Sequence, residues 1–121
     1  MIIIIPGKLP GLNEVINANR RNKYAGSTLK KDVEESIIPY IKSQCRQSFE
    51  RISISINWYE PNQRRDYDNI SSATKFILDS LVKCDVIPND GWRNIVPDLH
   101  HRFYIDKENP RIELEIHGIE T

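Results

Sequence analysis

Strict alternation of apolar and polar residues over residues 51–60 is the feature that most constrains the fold. Isoleucine occupies positions 52, 54 and 56 and tryptophan position 58, while serine, asparagine and tyrosine occupy the positions between. Because successive side chains of a strand point to opposite faces of a sheet, this period of two predicts a strand with one buried face. Pro61 follows and ends the strand.

Three further segments are predicted to be strands. Residues 2–5 are four isoleucines, a continuous apolar run that is typical of a strand buried on both faces. Residues 111–117 alternate, with isoleucine and leucine on one face and charged residues on the other. Residues 100–105 are the third segment, and residues 106–110 form the turn before the last strand.

Two segments have the apolar spacing of an amphipathic helix. The first is predicted to begin with Ser27 or Thr28 as its N-cap and to end near Phe49. The second is predicted to begin near Asp68 or Asn69 and to end near position 84. Residues 6–25 lack periodicity and are predicted to be a loop. The core-facing positions are Leu29, Val33, Ile37, Ile41 and Cys45 in the first helix, and Ile70, Ala73, Ile77, Leu81 and Cys84 in the second.

The order of these elements, β-α-β-α-β-β, predicts an α+β fold: a mixed sheet with two main helices packed against it. We expect one domain over residues 1–121. No stretch approaches the roughly 18 apolar residues of a membrane-spanning helix. Cys45 and Cys84 lack a metal-binding spacing, so we expect free thiols and a cytoplasmic location.

Charge is unevenly distributed along the chain, although the formal net charge is zero. Residues 1–65 contain eleven Lys or Arg and six Asp or Glu, whereas residues 66–121 contain six and eleven. A basic half that contacts phosphates and an acidic half that holds a metal ion would give this distribution, and so would chance.

The segment 64–70 concentrates the residues that suggest chemistry, in the order RRDYDNI. Asp66 and Asp68 are separated by one residue, and Asp90 follows one helix later. Oxygen ligands of this kind suit a hard divalent cation such as Mg²⁺ or Mn²⁺, and the preceding arginines suit a phosphate-containing substrate. This pattern predicts a metal-dependent enzyme that cuts nucleic acid.

Each carboxylate also has a purely structural interpretation. Asp66 or Asp68 would be an ordinary N-cap, although one Asp suffices for a cap and two adjacent carboxylates repel each other unless a cation lies between them. Asp90 lies in an Asn-Asp-Gly turn signal. Lys75, two helical turns after Asp68, either contacts the scissile phosphate or pairs with Asp79 four residues later.

A basic cluster lies in the predicted loop near the N-terminus. Arg20, Arg21 and Lys23 are suited to follow a phosphate backbone, and Tyr24 is available to stack on a base. The alternative is a solvated loop with no ligand.

The segment 64–70, the helix that carries Lys75 and the segment 86–90 together resemble the RusA family of Holliday junction resolvases. Chain length and the early Pro-Gly-Leu-Asn segment at residues 10–13 are similar too. The resemblance covers most of the chain and is specific in residues 64–90. It implies a Mg²⁺-dependent homodimeric endonuclease, of a kind that phages and prophages often encode, that makes paired cuts in four-way DNA junctions.

The resemblance also implies roles for individual residues. Asp66, Asp68 and Asp90 would be metal ligands, and Lys75 the catalytic lysine. The DNA-facing edge of the site would comprise Arg64, Arg65 and Asn69.

Two departures from the family pattern accompany this resemblance. In the best-known member the lysine lies about one helical turn nearer the aspartates, and two consecutive aspartates stand where this chain has Asn89 and Asp90. A different metal-dependent, structure-selective nuclease and a junction-binding protein without catalysis therefore remain alternatives.

Overall fold

Four strands form one mixed sheet in the computed structural model, which describes residues 1–120. In spatial order the strands are β1 (Ile2–Pro6), β4 (Arg111–Gly118), β2 (Ile52–Glu60) and β3 (His100–Ile105). The central strand β4 runs antiparallel to both of its neighbours, β1 and β2, whereas the edge strand β3 runs parallel to β2. The predicted mixed sheet and order of elements are confirmed.

Helices pack on one face of this sheet. Within residues 1–120 they are α1 (Leu12–Arg21), α2 (Lys23–Gln44), α3 (Tyr67–Ser71) and α4 (Thr74–Lys83). The two long apolar stripes predicted from the sequence belong to α2 and to α3 with α4. Both stripes form one core cluster with the apolar positions of β1, β2 and β4, which places the core between the helices and the sheet.

The predicted loop at residues 6–25 is wrong, because α1 occupies much of it and α2 begins at Lys23 instead of Ser27 or Thr28. One residue separates the two helices. Asn22 caps α2 by accepting a hydrogen bond from the backbone N–H of Ala25 at 2.7 Å. Helix α1 is largely polar and Ala18 is its one buried residue, so the sequence has no long apolar stripe there to indicate a helix.

The second predicted helix is divided into α3 and α4 by a turn at residues 72–73. The hydroxyl group of Ser72, in the turn, and that of Thr74, directly after it, donate hydrogen bonds to backbone carbonyls of α3. Ser72 Oγ donates to the carbonyl of Asn69 at 2.8 Å, and Thr74 Oγ1 donates to the carbonyl of Ser71 at 2.6 Å. Such local hydrogen bonds bend helices, and apolar spacing does not reveal them.

Strand β1 is buried on one face only, contrary to prediction. Ile3 and Ile5 are in the core, but Ile2 is 54% exposed and Ile4 is 41% exposed. The isoleucine run belongs to an edge strand of a sheet that is covered by helices on one side. At its outer edge, the Gln44 side chain exchanges two hydrogen bonds with the backbone of Ile4, at 2.7 and 2.8 Å.

The cysteines and the helix lengths bear on two further predictions. Cys45 and Cys84 are free thiols. None of the helices in residues 1–120 has the length and apolar character needed to cross a membrane.

Candidate active site

A cleft of about 830 Å³ opens where the chain leaves β2 and enters α3. Its walls are the loop after β2, the first turn of α3 and the end of the edge strand β3. Asp66 and Asp68 both line this cleft and both are exposed. Between the two aspartates in sequence, Tyr67 packs its ring against Phe103 with 4.6 Å between ring centroids, which joins α3 to β3.

Within the part of the chain that the structure describes, residues 1–120, the two aspartates of the cleft lack a cationic partner. Asp66 occupies the N-cap position of α3, yet its side chain makes no capping hydrogen bond. Asp68 Oδ1 accepts a hydrogen bond from the backbone N–H of Asn69 at 3.0 Å. Among residues 1–120 neither carboxylate takes part in a salt bridge. The capping interpretation of Asp66 therefore has no hydrogen bond to support it.

Arg65 precedes these aspartates but is directed away from them. Its Nε and Nη2 donate to the two carboxylate oxygens of Glu60, each at 2.9 Å. Its Nη1 donates to the carbonyl of Leu9 at 2.9 Å, and the Arg65 side chain is only 13% exposed. This paired, largely buried guanidinium ties the end of β2 to the segment before α1, so it positions the cleft and is not free to contact DNA.

Asn69 likewise joins two helices. Its Oδ1 accepts a hydrogen bond from the backbone N–H of Asn13 at 3.3 Å. A Cβ atom at Gly11 would lie 2.3 Å from that same oxygen, so only glycine permits this close approach. Asn69 thus holds the start of α1 against α3.

Lys75 belongs to a chain of ion pairs between α2, α4 and the turn after α4. Its Nζ lies 2.9 Å from Asp79 and 3.1 Å from Asp90. Asp79 also pairs with Lys30 of α2 at 3.1 Å. The predicted pairing of Lys75 with Asp79 is confirmed, and the structure adds Asp90 as its second partner.

These contacts fix the charge of both groups. Hydrogen bonds to Asp79 and then to Asp90 raise the pKa of Lys75, so it is protonated at neutral pH. Burial alone would raise the pKa of Asp79, but the hydrogen bonds from Lys75 and Lys30 outweigh burial and hold that pKa below its ordinary value. Lys75 is therefore a fixed positive charge and not a general base.

The predicted metal ligands are not gathered into one cluster. In the described part of the chain, no group of three or more His, Cys, Asp or Glu side chains has an arrangement that could hold a metal ion. Asp66 and Asp68 share the cleft, whereas Asp90 faces Lys75. The three-carboxylate site stays a prediction.

The remaining basic residues proposed for DNA are on the surface. Arg64 is exposed on the loop beside the cleft. Arg20 and Arg21 form the last turn of α1, and Lys23 begins α2, so these three side chains surround one helix–helix corner and all are exposed. Tyr24, at the same corner, is 84% exposed.

Three contributors to this region were missed by sequence reasoning. Glu60 is at one of the alternate positions of β2 that face the core. An acidic residue at such a position, followed by Arg65, was a detectable signal of a buried ion pair. Lys30 gave no such signal, because its contact with Asp79 depends on the packing of two helices. Trp92 is exposed and follows Asp90 by two residues. Its position directly after the Asn-Asp-Gly turn signal could have identified it as a surface residue.

No protein-family model matches this chain, and no curated protein matches it in sequence. Function is therefore inferred from the residues of the site.

Proposed function

We propose that this protein is a metal-dependent endodeoxyribonuclease that cuts branched DNA in recombination and repair, with the four-way junction as its substrate. One observation carries the proposal. Asp66 and Asp68 are exposed in the same cleft and have no salt-bridge partner among residues 1–120, while nearby acidic residues are paired with Lys or Arg. Two adjacent carboxylates of this kind favour a cation between them.

The donor set of the cleft fits Mg²⁺, with Mn²⁺ as the alternative ion. Mg²⁺ takes oxygen ligands, usually one or two carboxylates, and keeps several waters. Asp66 and Asp68 supply that number, and Asp90 becomes a third ligand only if Lys75 releases it. When bound, the ion supplies an activated water and stabilises charge on the phosphoryl oxygens.

The protein's own residues bind and orient the DNA. Lys75, 66% exposed and protonated, provides positive charge for a phosphate on the side of the site where Asp90 lies. Arg64 and the corner formed by Arg20, Arg21 and Lys23 provide further cations for the phosphate backbone. Arg65 and Asn69 act indirectly, by holding the loop and helix that carry the aspartates.

Paired cuts across a junction require two active sites, so we propose a homodimer. The two free thiols are compatible with a cytoplasmic location.

The test is a synthetic four-way junction labelled on each strand in turn, incubated with and without Mg²⁺. We expect symmetric paired nicks that require the metal ion. Asp68→Asn should abolish them while junction binding is retained or tightened, because repulsion between the carboxylate and the phosphates is relieved. Asp98→Asn is the matched control, since Asp98 is an exposed carboxylate outside the cleft.

The same assay distinguishes two other functions. A structure-selective nuclease of a different preference would cut flaps or forks in preference to the junction when all are offered. A junction-binding protein without catalysis is favoured by one observation, the pairing of Asp90 with Lys75. Binding without cutting in both Mg²⁺ and Mn²⁺ would establish that second function and refute the nuclease.

A further inference from the structure

The two tryptophans of the chain have opposite environments. Trp58 is 2% exposed in the core and donates a hydrogen bond to His101. Trp92 is 83% exposed, in the turn that follows α4. Tryptophan is a residue that proteins usually bury to a large extent, so a ring left almost wholly in water indicates a surface that contacts something else.

The turn that carries Trp92 is fixed at both ends. On one side, Asp90 is held by Lys75 at 3.1 Å. On the other side, Asn94 Nδ2 donates to the carbonyl of Glu50 at 2.8 Å, and the Asn94 carbonyl accepts from the backbone N–H of Ile52 at 2.9 Å. The ring is therefore presented from an anchored backbone, and little ordering entropy would be lost when a ligand covers it.

The chemistry around the ring favours nucleic acid over protein. Trp92 is followed by the exposed Arg93. Asp90, two residues before Trp92 in the sequence, is paired with Lys75 at 3.1 Å. An exposed aromatic ring next to a cationic residue in the chain suits a base and its phosphate. A protein-binding surface normally requires a larger contiguous apolar patch.

We propose that Trp92 is a stacking platform for an unstacked base at the branch point of branched DNA, with Arg93 contacting the adjoining phosphate. The inference rests on the proposed function for the identity of the ligand. Bases inside a continuous duplex are already stacked on both sides, so the ring gains a partner only where stacking is interrupted. Trp92 would thereby favour branched DNA over linear duplex.

Intrinsic fluorescence tests the contact directly, in EDTA so that binding is observed without cutting. We expect a four-way junction to quench wild-type emission strongly and a linear duplex of the same sequence to quench it weakly. In Trp92→Phe the remaining emission comes from the buried Trp58, and the junction should leave it nearly unchanged. A shift that depends on protein concentration alone, without DNA, would place Trp92 in a protein interface and overturn the proposal.

Affinity provides the second measurement. Trp92→Ala should weaken junction binding about tenfold and leave duplex binding nearly unchanged, whereas Trp92→Phe keeps an aromatic face and should stay within about threefold of wild type. Tyr40→Ala removes a partly exposed ring from α2 and is the matched control. Urea unfolding of each variant shows whether the fold is retained.

The outcomes separate this inference from the nuclease. Quenching of Trp92 by the junction, with no cutting in Mg²⁺ or Mn²⁺, would support stacking and refute the nuclease. Metal-dependent cutting, with Trp92→Ala binding and cutting the junction as well as wild type, would refute stacking and leave the nuclease intact.

Discussion

Two acidic regions of the molecule differ in how their charge is balanced. In the cleft, Asp66 and Asp68 are exposed and, within residues 1–120, without a salt bridge. At the end of α4, Asp79 and Asp90 are bridged by Lys75. The charges of Asp79 and Asp90 are already balanced by a lysine, whereas the cleft that contains Asp66 and Asp68 favours an added cation. Partners, and not the number of carboxylates, distinguish a structural acidic group from a candidate binding site.

The arginine next to the cleft reinforces this contrast. Arg65 is adjacent to Asp66 in sequence, yet its guanidinium forms a bidentate pair with Glu60. Glu60 needs the pairing because it is only 5% exposed, and an unpaired buried carboxylate is strongly unfavourable. The buried carboxylate therefore takes the cation, and the exposed aspartates are left without it.

The largest effect is expected from removing that guanidinium. Arg65→Met leaves Glu60 buried without a partner and should lower the free energy of unfolding by about 3–5 kcal/mol. Urea unfolding at pH 7 measures it. Arg64→Met, at the exposed neighbouring position, should change the free energy by less than about 0.5 kcal/mol. Equal effects of the two substitutions would show that the Arg65 pair is not structural.

Metal addition tests the cleft directly. Mg²⁺ at about ten times its dissociation constant should raise the free energy of unfolding by about 1.4 kcal/mol, because it binds the folded state alone. Thermal unfolding with and without Mg²⁺ measures this gain. Asp66→Asn and Asp68→Asn should each reduce it, and Asp79→Asn should leave it in place. Loss of the gain in Asp79→Asn alone would move the metal site to α4.

The ion pairs of α4 should show a smaller, acid-dependent contribution. The folded pKa of Asp79 lies below its ordinary value of 3.8, so the stability that it contributes is present above pH 3.8 and is lost as the pH falls through the folded pKa. Asp79→Asn should cost about 0.5–1 kcal/mol at pH 7, since its lysine partners are half or more exposed. The gap between variant and wild type should close toward pH 3, as measured by urea unfolding. A gap that stays constant across this range would exclude the charge as its cause.

The smallest expected effect is the pH dependence of stability that His101 contributes. Burial, and secondarily the charge of His100, lowers the pKa of His101 below 6.5. Its Nδ1 must be unprotonated to accept the Trp58 hydrogen bond at 3.0 Å. Stability should therefore be complete above pH 6.5 and decline slightly toward pH 5. His101→Gln should flatten that decline without changing the loss of stability below pH 3.8 that Asp79 causes, and a decline that persists in the variant would assign it to other groups.

Local pattern was a good guide where one face of an element meets the core. The alternation of β2 and β4 and the stripes of α2 and α4 were correct, because burial on one face imposes a fixed period on apolar residues. It was a poor guide for α1, which buries little, and for β1, whose apolar run concealed an exposed face. For the site, the sequence identified Asp66 and Asp68 as neighbours and Lys75 as a partner of Asp79. It did not separate Arg65, which is structural, from Arg64, which is exposed.

The sequence by itself determined the four strands, the apolar stripes of α2 and α4 and the placement of two carboxylates at the start of α3, because these depend on short-range periodicity and composition. Tertiary structure decided which charges are neutralised. Lys30 and Asp79 are paired by the packing of two separate helices, and no local pattern encodes a distance between elements. The exposure of Trp92 has the same origin, since it depends on what the remainder of the fold leaves uncovered.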